Sequence, residues 1–203
     1  MVSGAQRRLI APPSLSVTAI LLMLAASLVA AQATEKPSAP SASAPAAAQS
    51  ADEAYRKGQD FEKKQNYAEA MRWYHVAAAQ GYALAQVGIG NLYGMALGVP
   101  QDYGEALRWY RLAAAQGNDE AQNDIGFFYM NGWGVAQDYA QAMSWLRKAA
   151  DQSNGQAQKS VGYMYFKGWG VAPDRAEAVR WFRKAAANGD PDAKEALKEL
   201  GEK

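Results

Sequence analysis

The stretch Tyr139–Ala172, YAQAMSWLRKAADQSNGQAQKSVGYMYFKGWGVA, decides the fold, because it is one copy of a unit that returns every 36 residues. Trp73, Trp109, Trp145 and Trp181 stand 36 apart, and each is followed four and five residues on by paired alanines, Ala77-Ala78, Ala113-Ala114, Ala149-Ala150 and Ala185-Ala186. A fixed period of this length signals an elongated array of small stacked units rather than a globule with one closed core.

Around each tryptophan runs an Ala-rich segment of good helix formers. In Tyr103–Gln116 the residues Ala106, Trp109, Tyr110, Ala113 and Ala114 recur at i, i+3, i+4, i+7 and i+8, which predicts an amphipathic helix, termed helix B. A capping box opens it in every copy: Asn66-x-x-Glu69, Asp102-x-x-Glu105, Asp138-x-x-Gln141 and Asp174-x-x-Glu177. The cap side chain is expected to accept a first-turn N–H while the Glu or Gln reaches back to the cap's own N–H. Gly81, Gly117 and Gly189, with Ser153-Asn154-Gly155 in the third copy, suit the left-handed turn that closes such a helix.

A second helix of each unit, helix A, reads Ala85-x-x-x-Ile89-Gly90-x-x-Tyr93, Ala121-x-x-x-Ile125-Gly126-x-x-Tyr129 and Ala157-x-x-x-Val161-Gly162-x-x-Tyr165. A glycine inside a helix costs about 1 kcal/mol against alanine, so its return at one fixed point implies a close neighbour, expected to be the backbone of an adjacent helix. Helix A runs into Gly132-Trp133-Gly134-Val135 and Gly168-Trp169-Gly170-Val171, with Ala96-Leu97-Gly98-Val99 in the first copy. The loop tryptophans are expected to lie as lids over the space between units. A shorter opening hairpin carries Ala54, Gly58 and Phe61, and a closing helix, Asp190–Leu200, carries Ala193, Ala196, Leu197 and Leu200 on one stripe with a polar outer face. Repeat arrays need such a cap because the last unit has no neighbour.

The run A-x-x-x-(L/I/V)-G-x-x-Y-x-x-G-x-G-V-x-x-D-Y-x-x-A-x-x-W-(Y/F/L)-x-x-A-A, present from Ala121 to Ala150 and again from Ala157 to Ala186, resembles the Sel-1-like repeat family, a relative of the tetratricopeptide repeats. The resemblance spans about Ala51 to Leu200. It implies an all-α, right-handed α–α superhelix of about four antiparallel helix pairs plus the closing helix, with the A helices lining a concave surface. It also implies an adaptor, scaffold or regulator. Cysteine-rich branches of the family imply an alternative, a cell-wall-active or β-lactam-hydrolysing enzyme, and this chain has none of that branch's cysteines.

The termini carry different signals. Arg7 and Arg8 precede the mostly apolar run Leu15–Leu28, and Ala31-Gln32-Ala33 is a small-x-small site, so residues 1–33 are read as a cleavable export signal; the competing reading is an uncleaved anchor, which the short run interrupted by Ser16 and Thr18 disfavours. That places the protein in the periplasm or outside the cell, with no stable membrane span after cleavage. Residues 34–50 are almost wholly Ala, Pro and Ser and are expected to form a disordered tether, leaving 51–203 as the repeat domain.

Composition narrows the chemistry. Twenty-one basic and 20 acidic residues nearly cancel, and no basic stripe suggests a nucleic-acid partner. With no cysteine and one histidine, His75, there is no thiolate metal site, no zinc ligand set and no Cys–His dyad, so neither catalytic residues nor cofactors are expected. The glycine loops lack the Lys-Ser/Thr ending of a phosphate loop. What remains is binding of a protein or peptide segment by a monomer. Helix A positions left over from packing are Val87, Asn91, Asn123, Phe127, Met130, Asn131, Lys159, Tyr163, Phe166 and Lys167, amides for a backbone and aromatics for side chains. The competing reading has Phe127, Met130 and Phe166 bridge adjacent A helices.

Overall fold

The structure, a computed structural model, describes residues 50–202. The expected export signal, and the tether apart from Ser50, lie outside the described residues. Ser50 itself caps the first helix, its hydroxyl accepting from the Glu53 N–H at 3.2 Å.

Four hairpins follow in chain order: α1 (Ala51–Lys63) with α2 (Tyr67–Ala78), α3 (Ala83–Gly94) with α4 (Tyr103–Ala114), α5 (Asp119–Asn131) with α6 (Tyr139–Asp151), and α7 (Gly155–Lys167) with α8 (Arg175–Ala187). The closing helix, α9 (Pro191–Glu199), packs on α8. The described residues contain no strand, and each helix packs chiefly on those before and after it. This is the expected α–α solenoid of antiparallel pairs, odd-numbered helices being type A and even-numbered ones type B. Its core divides into four apolar clusters stacked along the array rather than one centre.

The B helices start at the expected caps. Asn66, Asp102, Asp138 and Asp174 accept first-turn N–H groups through their side-chain oxygens. The other half of the capping box is different from expectation. The N–H of Asp102, Asp138 and Asp174 donates instead to the carbonyl of Tyr93, Tyr129 and Tyr165, at 3.1, 2.9 and 2.9 Å. Helix A thus ends by capping helix B, which releases Glu69, Glu105 and Glu177 to pair with Arg72, Arg108 and Arg180 at 2.8, 2.5 and 2.7 Å.

The helix A glycines meet a side chain where a helix backbone was expected. A methyl group at Gly90 would stand 2.5 Å from a ring carbon of Tyr110, and one at Gly162 would stand 2.7 Å from a ring carbon of Phe182. At Gly126 the neighbour is mainly Leu146, at 2.5 Å, with the Ala142 carbonyl at 3.3 Å. Each of these partners directly follows a motif tryptophan. Tyr74, Tyr110, Leu146 and Phe182 are 1%, 3%, 0% and 1% exposed, whereas Trp73, Trp109 and Trp145 are only partly buried. The core anchor is therefore the residue after the tryptophan, seated where glycine leaves room. Trp109, Trp145 and Trp181 instead pack on the cluster of the preceding unit, so they staple one unit to the next.

The loop tryptophans are lids, as expected. Trp133 stacks on Tyr103 at 5.3 Å and 9°, and Trp169 on Tyr139 at 5.7 Å and 12°. In both loops the second glycine presses on the preceding B helix, with only 2.7 Å between a methyl at Gly134 or Gly170 and the carbonyl carbon of Tyr103 or Tyr139. In the first copy Ala96 takes the left-handed conformation (φ 57°) and Leu97 is buried in place of a tryptophan. In the third copy Ser153 (φ 70°) closes helix B, while Asn154 caps α7.

One recurring polar feature is absent from the sequence reading. Gln86, Gln122 and Gln158 are buried on the A helices and accept hydrogen bonds from Gln116, Gln152 and Asn188 at 2.9, 2.9 and 2.8 Å. These bonds tie the far end of each hairpin and satisfy amides that would be costly to bury alone. The signal was present as a glutamine after each motif alanine, at the same 36-residue spacing.

Candidate binding surface

The ten helix A positions proposed for recognition separate into two sets. Val87, Asn123, Met130 and Lys159 are 3%, 2%, 5% and 8% exposed. Val87, Met130 and Lys159 are spent between successive A helices, while Asn123 donates from Nδ2 to its neighbour Asp124 at 3.3 Å. Val87 packs with Ala121 and Ile125 of the next A helix, and Met130 with Ala157 and Val161. Lys159 reaches α9, its Nζ lying 2.7 Å from Asp192 and 3.1 Å from Asp190. Burial works against the charged ammonium, yet the bonds to Asp192 and Asp190 outweigh it and raise the Lys159 pKa.

The remaining six reach solvent in part or in full. Asn91, Phe127 and Tyr163 are half-buried at the same point of three successive A helices, directly after the motif glycine. One turn on, Asn131 is half-buried while Phe166 is 38% exposed. Lys167 places its Nζ 4.8 Å from the centre of the Phe166 ring. Several of these groups are held in place. Asn91 Oδ1 accepts from the Tyr110 hydroxyl at 2.7 Å, Asn131 Nδ2 donates to the Phe127 carbonyl at 2.8 Å, and Tyr163 meets Phe182 edge-on at 4.9 Å. The row is thus a fixed surface of rings and amides on rigid helices, which lowers the ordering cost of binding.

Acidic groups beside this row went unnoticed in the sequence. Glu120 and Asp124 stand four apart on α5, an i, i+4 spacing that was visible. Burial first and Glu120 second push the Asp124 carboxyl up to about 8, while a bond from Asn123 opposes the shift. Burial and Asp119 likewise raise Glu120. On the B side, His75 meets Trp109 edge-on at 5.3 Å, and burial followed by the Arg108 charge lowers its pKa. The described residues hold no group of three His, Cys, Asp or Glu side chains placed to share a metal ion, and no helix long and apolar enough to cross a membrane.

A solenoid of helical hairpins presenting a fixed row of side chains on its A helices is the architecture of a repeat-type protein-interaction module. The Sel1 repeat family model matches residues 44–82, 83–118, 119–154 and 155–190. The chain therefore belongs to the Sel1 repeat family, whose members are in general noncatalytic protein–protein interaction modules. Among solved structures, it is similar to a Sel1 repeat protein from Oxalobacter formigenes at 35% identity and TM-score 0.69, covering 72% of this chain and 60% of that one. It is also similar to c5321, a protective antigen of uropathogenic Escherichia coli with an SLR fold, at 36% identity and TM-score 0.69, covering 74% of this chain and 33% of that one. The chain thus spans less than two thirds of either relative. No curated protein sequence matches it.

Proposed function

We propose that the protein is a noncatalytic adaptor or scaffold of the bacterial cell envelope that holds an extended segment of a partner along its A helices. The observation that carries this reading is the repeated partial exposure of the residue after the motif glycine, Asn91, Phe127 and Tyr163, on three successive A helices, with Phe166 exposed one turn on. The amides of Asn91 and Asn131 offer hydrogen bonds to a backbone, and the rings of Phe127, Tyr163 and Phe166 supply anchor area with little rotamer freedom to lose. The N-terminal pattern of Arg7, Arg8, the apolar run and Ala31-Gln32-Ala33 supports export to the periplasm or the cell exterior.

Replacing Phe127 and Tyr163 together by alanine is expected to abolish capture of the partner from an envelope fraction while the helical circular dichroism stays intact. Unchanged capture removes the groove assignment. Amino-terminal sequencing of the exported protein checks the address, with Thr34 expected as the first residue.

A further inference from the structure

Equivalent positions of successive repeats do not carry equivalent charge. At the C-terminal end, Lys159 of α7 is buried against Asp190 and Asp192 of α9. Moving back by one period replaces Lys159 with Asn123, Asp190 with Asn154 and Asp192 with Gln156. Moving back by two replaces Lys159 with Val87 and Asp192 with Glu120. At the level of Glu120 an acid is therefore present and the matching cation is not, its place being taken by a buried valine. Asp124 adds a second carboxylate one turn along the same face. Among the described residues neither Glu120 nor Asp124 takes part in an ion pair, and the one hydrogen bond to Asp124 is from Asn123 Nδ2, at 3.3 Å.

A second, independent observation lies beside the carboxylates. The Asn123 side chain is almost fully buried, and its Oδ1 is the one buried side-chain polar atom of the described residues without a hydrogen-bond partner. An unsatisfied buried acceptor of this kind carries a cost of about 1–3 kcal/mol. The unfilled capacity at this point is mainly that of acceptors: the Asn123 amide oxygen, the Glu120 carboxylate and the Asp124 carboxyl, which a cation would favour in its ionised form. Tyrosine rings complete the surroundings. Tyr55 packs against Tyr82 and Tyr74 at 5.2 and 5.7 Å, and the Glu120 carboxylate lies within electrostatic reach of Tyr55 on α1 and of Tyr110 on α4. Carboxyl groups without an ion pair, beside an unpartnered amide oxygen, suit a cation that also brings N–H groups.

We infer that Glu120, Asp124 and Asn123 form a subsite for one lysine or arginine side chain of the segment bound along the A helices. The incoming ammonium or guanidinium does at this level what Lys159 does two repeats on from Val87, pairing with Glu120, favouring the ionised form of Asp124 and drawing the Asn123 oxygen onto an N–H. The inference rests on the groove reading above and adds to it the chemistry of the occupant: a basic residue, flanked by side chains that reach Phe127 and Tyr163.

The test is an NMR titration of the 15N-labelled protein with N-acetyl-lysine methylamide and, in parallel, with the uncharged N-acetyl-norleucine methylamide. The lysine probe is expected to shift the Asn123 side-chain amide and the backbone amides of residues 120–124, and the norleucine probe to leave them in place. Glu120→Gln with Asp124→Asn, which keeps shape and removes both ionisable groups, is expected to reduce the lysine-induced shifts at least fivefold, about 1 kcal/mol of binding, with the rest of the spectrum unchanged. Equal shifts from both probes, or lysine shifts retained in the double variant, overturn the subsite. If the lysine probe is ignored while Phe127→Ala with Tyr163→Ala still abolishes partner capture, the subsite fails alone. If the lysine probe binds as expected and that aromatic variant captures normally, the groove reading fails and the cation site stands by itself.

Discussion

Gly162 and the ring of Phe182 show at the scale of single residues how the repeat is specified. Alanine at Gly162 gains helix propensity of about 1 kcal/mol, but its methyl would stand 2.7 Å from the Phe182 ring. Overpacking of this kind costs about 1–3 kcal/mol, so net of the propensity gain Gly162→Ala is expected to lower stability by up to roughly 2 kcal/mol, read from the urea midpoint. The tryptophans were legible as the repeat marker, yet the buried anchor is the next residue. Both fall on one broad stripe, and only the depth of the facing glycine decides which enters. Asp124 makes a pH-dependent prediction. Its folded pKa of about 8 lies above the ordinary 3.8, so the folded state keeps a proton that the unfolded chain releases. The contribution is fully present below about pH 4 and is lost as pH rises through about 8. Asp124→Asn should therefore flatten the fall in urea midpoint across that window; a wild-type slope retained in the variant contradicts the assignment.

Among the elements, the starts and ends of the helices were readable and the partners between them were not. The caps Asn66, Asp102, Asp138 and Asp174 follow from local chemistry and appear where expected. The Glu or Gln of each capping box depends on what else competes for the cap N–H, and a carbonyl of the preceding helix, Phe61 in the first copy and a tyrosine in the others, competes successfully. Likewise Val87, Asn123, Met130 and Lys159 have the spacing of groove residues, but that spacing alone does not tell where successive A helices touch. The closing helix α9 shows the consequence. Its cap Asp190 accepts from the Ala193 N–H at 2.9 Å and also faces Lys159, so one residue starts the helix and fixes it to α7. Beyond it, Arg183 pairs with Glu202 at 2.6 Å, at the repeat position where Arg111 and Arg147 donate to Tyr129 and Tyr165. A chain ending at Gly189 leaves Lys159 unpaired and the apolar face of α8 uncovered. Its melting temperature is expected to fall by roughly 5–10 °C, the size set by breaking a buried ion pair in a domain of this length.

For the repeat array as a whole, recurrence carries the architecture and departures from recurrence carry the candidate site. The period made the hairpins, their number and their closing helix legible in the sequence, because every copy repeats the same caps, small residues and aromatic anchors. Residues that differ between copies, Asn91, Phe127 and Tyr163 in one row and Val87, Asn123 and Lys159 in another, needed the structure to divide surface from seam. The central claim is that the A-helix face, not the outer B-helix face, holds the partner. Leu112 on α4, 42% exposed, provides the contrast. Site-specific photocrosslinking in the native cell, with p-benzoylphenylalanine at position 127, 163 or 112, tests it directly: a partner adduct from 127 and 163 with none from 112 is the predicted result, and an adduct from 112 with none from 127 or 163 contradicts the account.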